Sequence, residues 1–290
     1  MPHRTSRLAT LLRLIAISLV AALGIQVGWA AHHEMDITTS KALDAAIAGD
    51  HRSDENKARD KFRRPKETLA FFGFRSDMTV VEIWPGGGWY TEILAPALKD
   101  SGKLYAAQYS VNPSYGYQRR YLGAFLSKLG ANAKLYRDVE ITTLDFPYAL
   151  AIAPAGTADM VLTFRNAHNW VNPGYGTHAA ALSFKVMFDA LKPGGVLGVV
   201  DHRWPDPKTE DPDADNGYVS EERIIRLAKE AGFELAARSD MNRNPKDDHE
   251  HPQGVWTLLP SLALGETDRE QYIAIGESDR MTLKFVKPSK

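Results

Sequence analysis

Two stretches of this chain carry residue types and spacings that could do chemistry. The first is VVEIWPGGGWYTEIL, residues 80–94. Val80, Val81 and Ile83 form a β-branched run expected of a buried strand. Gly86, Gly87 and Gly88 let the backbone turn tightly and approach a ligand where a Cβ would intrude. A helix opening near Trp89 would aim its unpaired N–H groups and dipole at that turn, a place for a negative group. In an open α/β sheet, a loop at the carboxyl edge of the first strand is where a nucleotide-like cofactor sits. The second stretch is Asp247-Asp248-His249-Glu250-His251. Its histidines and acids could hold zinc, but one intervening residue is poor spacing for a helix face. The expected reading is a solvated charged loop, or a flap over the pocket.

The elements needed to position these residues follow from periodicity. Residues 38–48 read as a helix capped by Thr39 or Ser40, with Ala42, Leu43, Ala46 and Ile47 as its apolar stripe. Residues 50–66 are densely charged, and Pro65 precedes an apolar helix at Glu67–Phe72. LYAAQYS (104–110) is a second strand, 114–129 a helix, and 133–137 a short third strand. ADMVLTFRNAHNW (158–170) is a fourth strand with a polar, aromatic exit. The helix over 177–191 stops at LKPGG, and VLGVVDH (196–202) is the fifth strand. SEERIIRLAKEAGF (220–233) is a helix with a capping-box start, followed by strands at 233–239 and 280–288. Strands alternating with helices of this length predict an α/β fold: a Rossmann-like, doubly wound, mostly parallel sheet with helices on both faces.

Composition sets the compartment and excludes some partners. Residues 1–13 carry Arg4, Arg7 and Arg13 and no acid, and Leu14–Ala30 is uncharged and mostly apolar. That is the pattern of a secretory signal peptide cleaved near Ala30 or Ala31; the alternative is an uncleaved anchor, for which a run of about 17 residues is marginal. The expected location is periplasmic or secreted, with no stable membrane insertion after cleavage. The chain has no cysteine, so it carries no disulfide framework. Loss of residues 1–30 removes three arginines and no acid, moving the formal charge from -1 to -4. Nucleic acid is an unsuitable partner for a surface without a basic block, and a small-molecule substrate is expected. The domain reading is a signal peptide (1–30), an N-terminal helical extension (31–75) and an α/β domain that carries the glycine loop (76–290).

Three segments in series carry a resemblance: EIWPGGG, FDALKPGGVLGVVDH and SEERIIRLAKEAGFEL. Over roughly residues 60–290 the chain resembles the class I S-adenosylmethionine-dependent methyltransferases, and within them a group of exported proteins with a WPGGGW loop. The resemblance implies S-adenosylmethionine as cofactor. It implies that Glu82 orients the methionine amino group and that Gly86, Gly87 and Gly88 pass close to the cofactor on a turn stiffened by Pro85. Trp84 stands at the family's first glycine position, and Gln108 stands where the family has the acid that accepts from both ribose hydroxyls. The acid near adenine would be Asp138 or Asp145. Methyl transfer is a direct displacement, so residues leaving the fourth and fifth strands are the catalytic candidates: Arg165, Asn166, His168, Asn169, Asp201 and His202. His168 or His202 would deprotonate the acceptor, and Asn169 and Trp170 would shape its pocket.

Two other readings use the same residues. Trp84 and Gln108 favour a fold relative that holds an adenosine-like ligand without transfer, and the His/Asp groups would suit a metal-assisted hydrolase. A nicotinamide dehydrogenase is disfavoured, because Gly-x-Gly-x-x-Gly and the second-strand acid are both absent.

Overall fold

The computed structural model describes residues 35–289, which form one compact unit. The expected signal peptide lies outside the described residues. Among the described residues no helix is long and apolar enough to cross a membrane.

Helix α1 (Ile37–Ala48) begins one residue earlier than its periodicity suggests, and Asp36 rather than Thr39 or Ser40 caps it by accepting from Thr39 N at 2.9 Å. Two single turns follow, α2 (Asp54–Lys57) and α3 (Asp60–Arg63), then α4 (Pro65–Phe72). Proline at the first position of α4 loses no intrahelical bond. Gly73 ends it at φ 81°, as the N–H groups of Gly73 and Phe74 close on Ala70 and Leu69 carbonyls.

The sheet then starts with β1 (Thr79–Ile83) and α5 (Thr91–Leu98), β2 (Lys103–Gln108) and α6 (Gly116–Ala131). Residues Ala133–Tyr136 form a helical turn, α7, and not the expected strand. Asn132 caps that turn by accepting from Leu135 N, and the β-branched residues that favour extension begin only afterwards, in β3 (Val139–Thr143). Strand β4 (Ala158–Phe164), α8 (Ala167–Val171), α9 (Ala179–Ala190) and β5 (Leu191–Trp204) follow. The expected fourth strand thus ends at Phe164, and its polar exit is helix α8. The two-residue strand β6 (Val219–Ser220) leads into α10 (Glu221–Glu230). Ser220 caps α10 by accepting from Arg223 N, but the third position is an arginine, so the reciprocal half of a capping box is missing. Strand β7 (Glu234–Ser239), α11 (Arg269–Ile275) and β8 (Arg280–Val286) complete the chain.

The strand order is β3-β2-β1-β4-β5-β8-β7, with β6 attached to β5. The first five strands run parallel, and β8 inserts antiparallel between β5 and β7. The chain therefore winds outward from β1 in both directions, which leaves a crevice outside the carboxyl ends of β1 and β4. Two apolar clusters cover the faces. Val81 and Ile83 belong to one, with Phe184 and Met187 of α9 and Ile224 of α10. Val80 belongs to the other, with Leu43 of α1, Leu69 and Phe72 of α4, and Ile93 and Leu94 of α5. Strand alternation puts Glu82 on this second face, against α5.

The N-terminal helices are fastened through Trp89. Its Nε1 donates to the Asn56 carbonyl at 3.1 Å, and the guanidinium groups of Arg52 and Arg63 lie 5.1 and 4.6 Å from its ring centre. Tyr90 stacks on Phe164 with ring centres 3.5 Å apart.

Candidate active site

The loop after β1 is built by left-handed backbone at three places: Trp84 at φ 43°, Gly86 at 59° and Gly88 at 80°. Gly88 is needed for packing as well, since a Cβ there would lie 3.1 Å from Phe125 of α6. Gly86 and Gly87 differ. A Cβ on either would meet nothing nearer than Tyr121, at 3.9 and 3.8 Å, so their outer face is open for a ligand's approach.

Glu82 is buried beneath this loop and accepts from Thr91 Oγ1 at 2.6 Å. Burial is the main cause that pushes its carboxyl up to about 7, against the opposing effects of Thr91 and Lys128. A carboxyl raised above its ordinary 4.5 keeps its proton in the folded state while the unfolded chain releases it. Stability therefore falls as pH rises from 4.5 to about 7. Glu82→Gln, which keeps a hydrogen-bond acceptor without titrating, is expected to gain on the order of 3 kcal/mol over the wild type across that window. Urea unfolding of both proteins at pH 5 and pH 8 reads the difference; an equal difference at the two values would contradict it.

Trp84 is re-aimed by its backbone. Continued strand alternation would place it with Val80 and Glu82, but the left-handed turn swings the indole into the opposite cluster. There it lies 5.0 Å from Tyr109, 5.7 Å from Trp170, 5.8 Å from Tyr175 and 5.9 Å from Phe146, ring centre to ring centre. Its Nε1 donates to the Leu144 carbonyl at 2.9 Å. The indole thus spans the carboxyl ends of β1, β2 and β3, inside the crevice. Trp170 is fully buried against Trp84 and Phe184, so it forms core and not the wall of an acceptor pocket.

Gln108 ends β2 fully buried, with both ends of its amide in use. Its Nε2 donates to the Gly86 carbonyl at 2.9 Å, and its Oε1 accepts from Tyr109 N at 3.0 Å. It braces the glycine loop from a fully buried position, which takes the amide off the surface that a ribose would approach. Asp138 precedes β3, at the amino edge of the sheet, where its exposed side chain faces Arg137. It is on the wrong edge to contact a ligand held by the loop. Asp145, just past the carboxyl end of β3, is the acid on the correct edge.

The exits of β4 and β5 meet as the sequence suggests. Asn166 donates through Nδ2 to the Ile83 carbonyl at 2.8 Å and to Thr163 Oγ1 at 3.2 Å, tying the start of α8 to the foot of the loop. One turn of α8 then brings His168 over the end of β5. Its Nδ1 pairs with Asp201 Oδ1 at 2.8 Å, and its backbone N–H donates to Asp201 Oδ2 at 3.1 Å. The backbone N–H of His202 donates to Asp201 Oδ1 at 2.8 Å. The fully buried Asp201 carboxylate only accepts, so Nδ1 of His168 carries the proton and Nε2 is left with its lone pair.

The His202 ring lies 5.1 Å from that of His168, and its Nδ1 is hydrogen-bonded to Ser278 Oγ. Burial is the main cause that holds the His202 imidazole well below its usual range, so it stays neutral. Asn169 is half-buried, and its side chain has no hydrogen-bond partner among the described residues. Ligand atoms of His168, Asp201 and His202 lie within 4.8 Å of one another. Three N–H groups already bind Asp201, two of them from His168, so its carboxylate serves as an orienter of that ring.

The segment 247–251 is solvated only in part: Asp248 and Glu250 are exposed, but the rest is held inward. Asp247 is buried and accepts from Tyr218 OH, the backbone N–H groups of His249 and Asp279, and His251 Nε2 at 2.8 Å. It is a structural knot that closes the turn before β8. Arg165, at φ 62°, leaves β4 on the α1/α5 side beside Tyr90 and Phe164. The residues that sequence reading missed, Arg63, Ser278 and Arg280, come from the charge-dense N-terminal segment and the edge of β8. The one available signal was an arginine opening the apolar run RMTLKFV.

No family model matches this chain, and no curated protein sequence does. Solved structures do. The chain is similar to a S-adenosylmethionine-dependent methyltransferase from Aquifex aeolicus (16% identity, 79% of this chain and 92% of that one, TM-score 0.50). It is similar to the cyclase SpnF (14% identity, 87% and 94%, TM-score 0.54). A third is phosphoethanolamine N-methyltransferase 2 from Haemonchus contortus in complex with S-adenosyl-L-methionine (15% identity, 85% of this chain and 60% of that one, TM-score 0.50). A cyclase among these shows that the shared architecture does not fix the reaction. At such identities the likeness establishes architecture, and the described chain has the fold of the class I S-adenosylmethionine-dependent methyltransferases.

Proposed function

We propose that this protein is a S-adenosylmethionine-dependent methyltransferase in which His168, held by Asp201, is the general base toward a small-molecule or envelope acceptor. The observation that carries the reading is the Asp201–His168 pair opening at the same sheet edge as the glycine loop, with Asn166 joining the two. The residues fit the cofactor at the loop, where Gly86 and Gly87 offer unobstructed backbone. They do not reproduce the usual grip on the ribose, because Gln108 is spent on the loop itself.

Bound S-adenosylmethionine would supply an electrophilic methyl group on a sulfonium. The chain's own residues do the remainder. Asp201 fixes the His168 ring and stabilises its protonated form; His168 Nε2 takes the proton of the acceptor hydroxyl, thiol or amine; the neutral His202, anchored by Ser278, walls the site. Residues 1–30 support an exported protein acting in the periplasm or outside the cell. Edman sequencing of the protein recovered from that compartment would begin near Ala31.

One observation favours a second reading. The Trp84 indole fills part of the crevice in which a nucleoside would lie, as in a relative that has given up transfer and holds a small ligand. Calorimetric titration with S-adenosylmethionine and S-adenosylhomocysteine separates the two. Saturable binding followed by turnover supports transfer, stoichiometric retention without turnover supports the second reading, and no binding at millimolar ligand overturns both.

A further inference from the structure

A second site lies on the α1/α5 face of the sheet, one residue along β5 from Asp201. It is a small pocket, partly open to solvent, lined by Arg63, Arg165 and Arg280 with Tyr90 and Phe164. The arginines come from three distant parts of the chain: α3, the exit of β4 and the start of β8. Arg63 and Arg280 are each only 3% exposed.

The cluster is short of negative charge. Glu277 is the carboxylate that serves it, and it accepts from Arg59 Nε at 2.8 Å, Arg63 Nε at 3.0 Å and Arg280 Nη1 at 3.0 Å. Three guanidinium groups on one carboxylate leave an excess of positive charge, to which Arg165 adds another; Arg165 has no salt-bridge partner among the described residues. The forks are also incompletely used. Arg63 Nη2 and Arg280 Nε are buried and donate to nothing, although each belongs to a side chain lining the cavity. Burial of a charged donor without an acceptor is unfavourable, and a structural clamp would be better served by a second acid or by apolar residues. A planar fork with free N–H groups in a desolvated pocket is suited to a compact oxyanion. Consistent with this crowding, burial and then the charge of Arg165 hold the Arg280 guanidinium below its ordinary value, against Glu277.

We propose that Arg63, Arg165 and Arg280 bind the carboxylate or phosphate group of an acidic small-molecule ligand. The pocket is too small for a nucleotide, so only the anionic group itself would enter it, with the rest of the ligand outside. The stacked rings of Tyr90 and Phe164 give the ligand an apolar wall. Pairing of Arg280 with His202 across β5 and β8 sets the site at the same end of β5 as the His168–Asp201 pair, on the other face of the strand from Asp201. That the ligand is the methyl acceptor rests on the methyltransferase reading; the binding of the anion does not.

The test is thermal unfolding of the full chain in rising sodium phosphate, and separately in sodium succinate, with sodium chloride holding ionic strength constant. The expected result is a saturable rise in Tm with at least one of the two salts, and the more effective salt tells phosphate from carboxylate ligands. Arg165→Gln, the least buried of the three changes, is expected to weaken the apparent affinity by about tenfold or more, as loss of a charged hydrogen bond requires; Arg280→Gln should do the same. If Arg280→Gln does not fold, Arg165→Gln decides alone. A rise that does not saturate with either salt, or that is unchanged in Arg165→Gln, overturns the site. Abolition of the phosphate effect by S-adenosylhomocysteine would overturn the assignment to an acidic ligand, because the pocket would then hold the amino-acid tail of the cofactor. Failure of S-adenosylhomocysteine to bind at all would count against the methyltransferase reading and leave the anion result standing.

Discussion

His168→Ala is expected to lower methyl transfer by about 10²–10⁴-fold, the range for loss of a positioned general base, while S-adenosylhomocysteine binds as before. The separation follows from geometry. His168 is fixed by Asp201 at the exit of β5, whereas the ligand's approach surface is the Gly86–Gly87 backbone on the loop after β1. The residual rate should rise with pH as the acceptor ionises unaided, a response that a merely structural histidine would not produce. Asp201→Asn is the companion change. It removes the acceptor-only group that holds the proton on Nδ1, so the rate should fall with the ring still present. That variant also weakens the reception of three N–H groups at a fully buried position, and a fall in Tm is expected with it. Equal rates for His168→Ala and the wild type would remove the dyad from the reaction and return attention to His202.

Gly86→Val should abolish cofactor binding in the same calorimetric titration while the protein stays folded. At φ 59° a β-branched residue is strained, at a cost of about 1–2 kcal/mol. No protein atom stands closer than 3.9 Å to the added Cβ, so the fold is expected to absorb the change. A ligand on that face would meet the new side chain directly. Gly88→Ala is the informative contrast: its Cβ would lie 3.1 Å from Phe125, so it should lower stability first and affect binding only through the fold. Undiminished affinity in Gly86→Val would take the loop out of the site.

Much of the architecture was legible in the residues alone. The β-branched runs of β1, β4 and β5, the stop at LKPGG and the order of elements specify a doubly wound sheet, because local propensity and a period of 2 or 3.6 act over a few residues. The same locality explains the misread third strand. Leu135 and Tyr136 look extended by type, but the Asn132 cap turns them into a helix and delays the strand to Val139. The site was half legible. Gly86, Gly88, His168, Asp201 and His202 could be named from their places after strands, since in this topology strand ends gather at one edge.

What tertiary structure alone decided is direction and partnership. Trp84 turns into the crevice because its backbone is left-handed; Gln108 is consumed by the loop it braces; Asp138 falls at the opposite edge from Asp145 although seven residues separate them. Arg63, Arg165 and Arg280 meet only because β8 inserts antiparallel beside β5 and α3 folds back over them. No local pattern records such meetings, because side-chain alternation fixes a face and chain crossing fixes the neighbour.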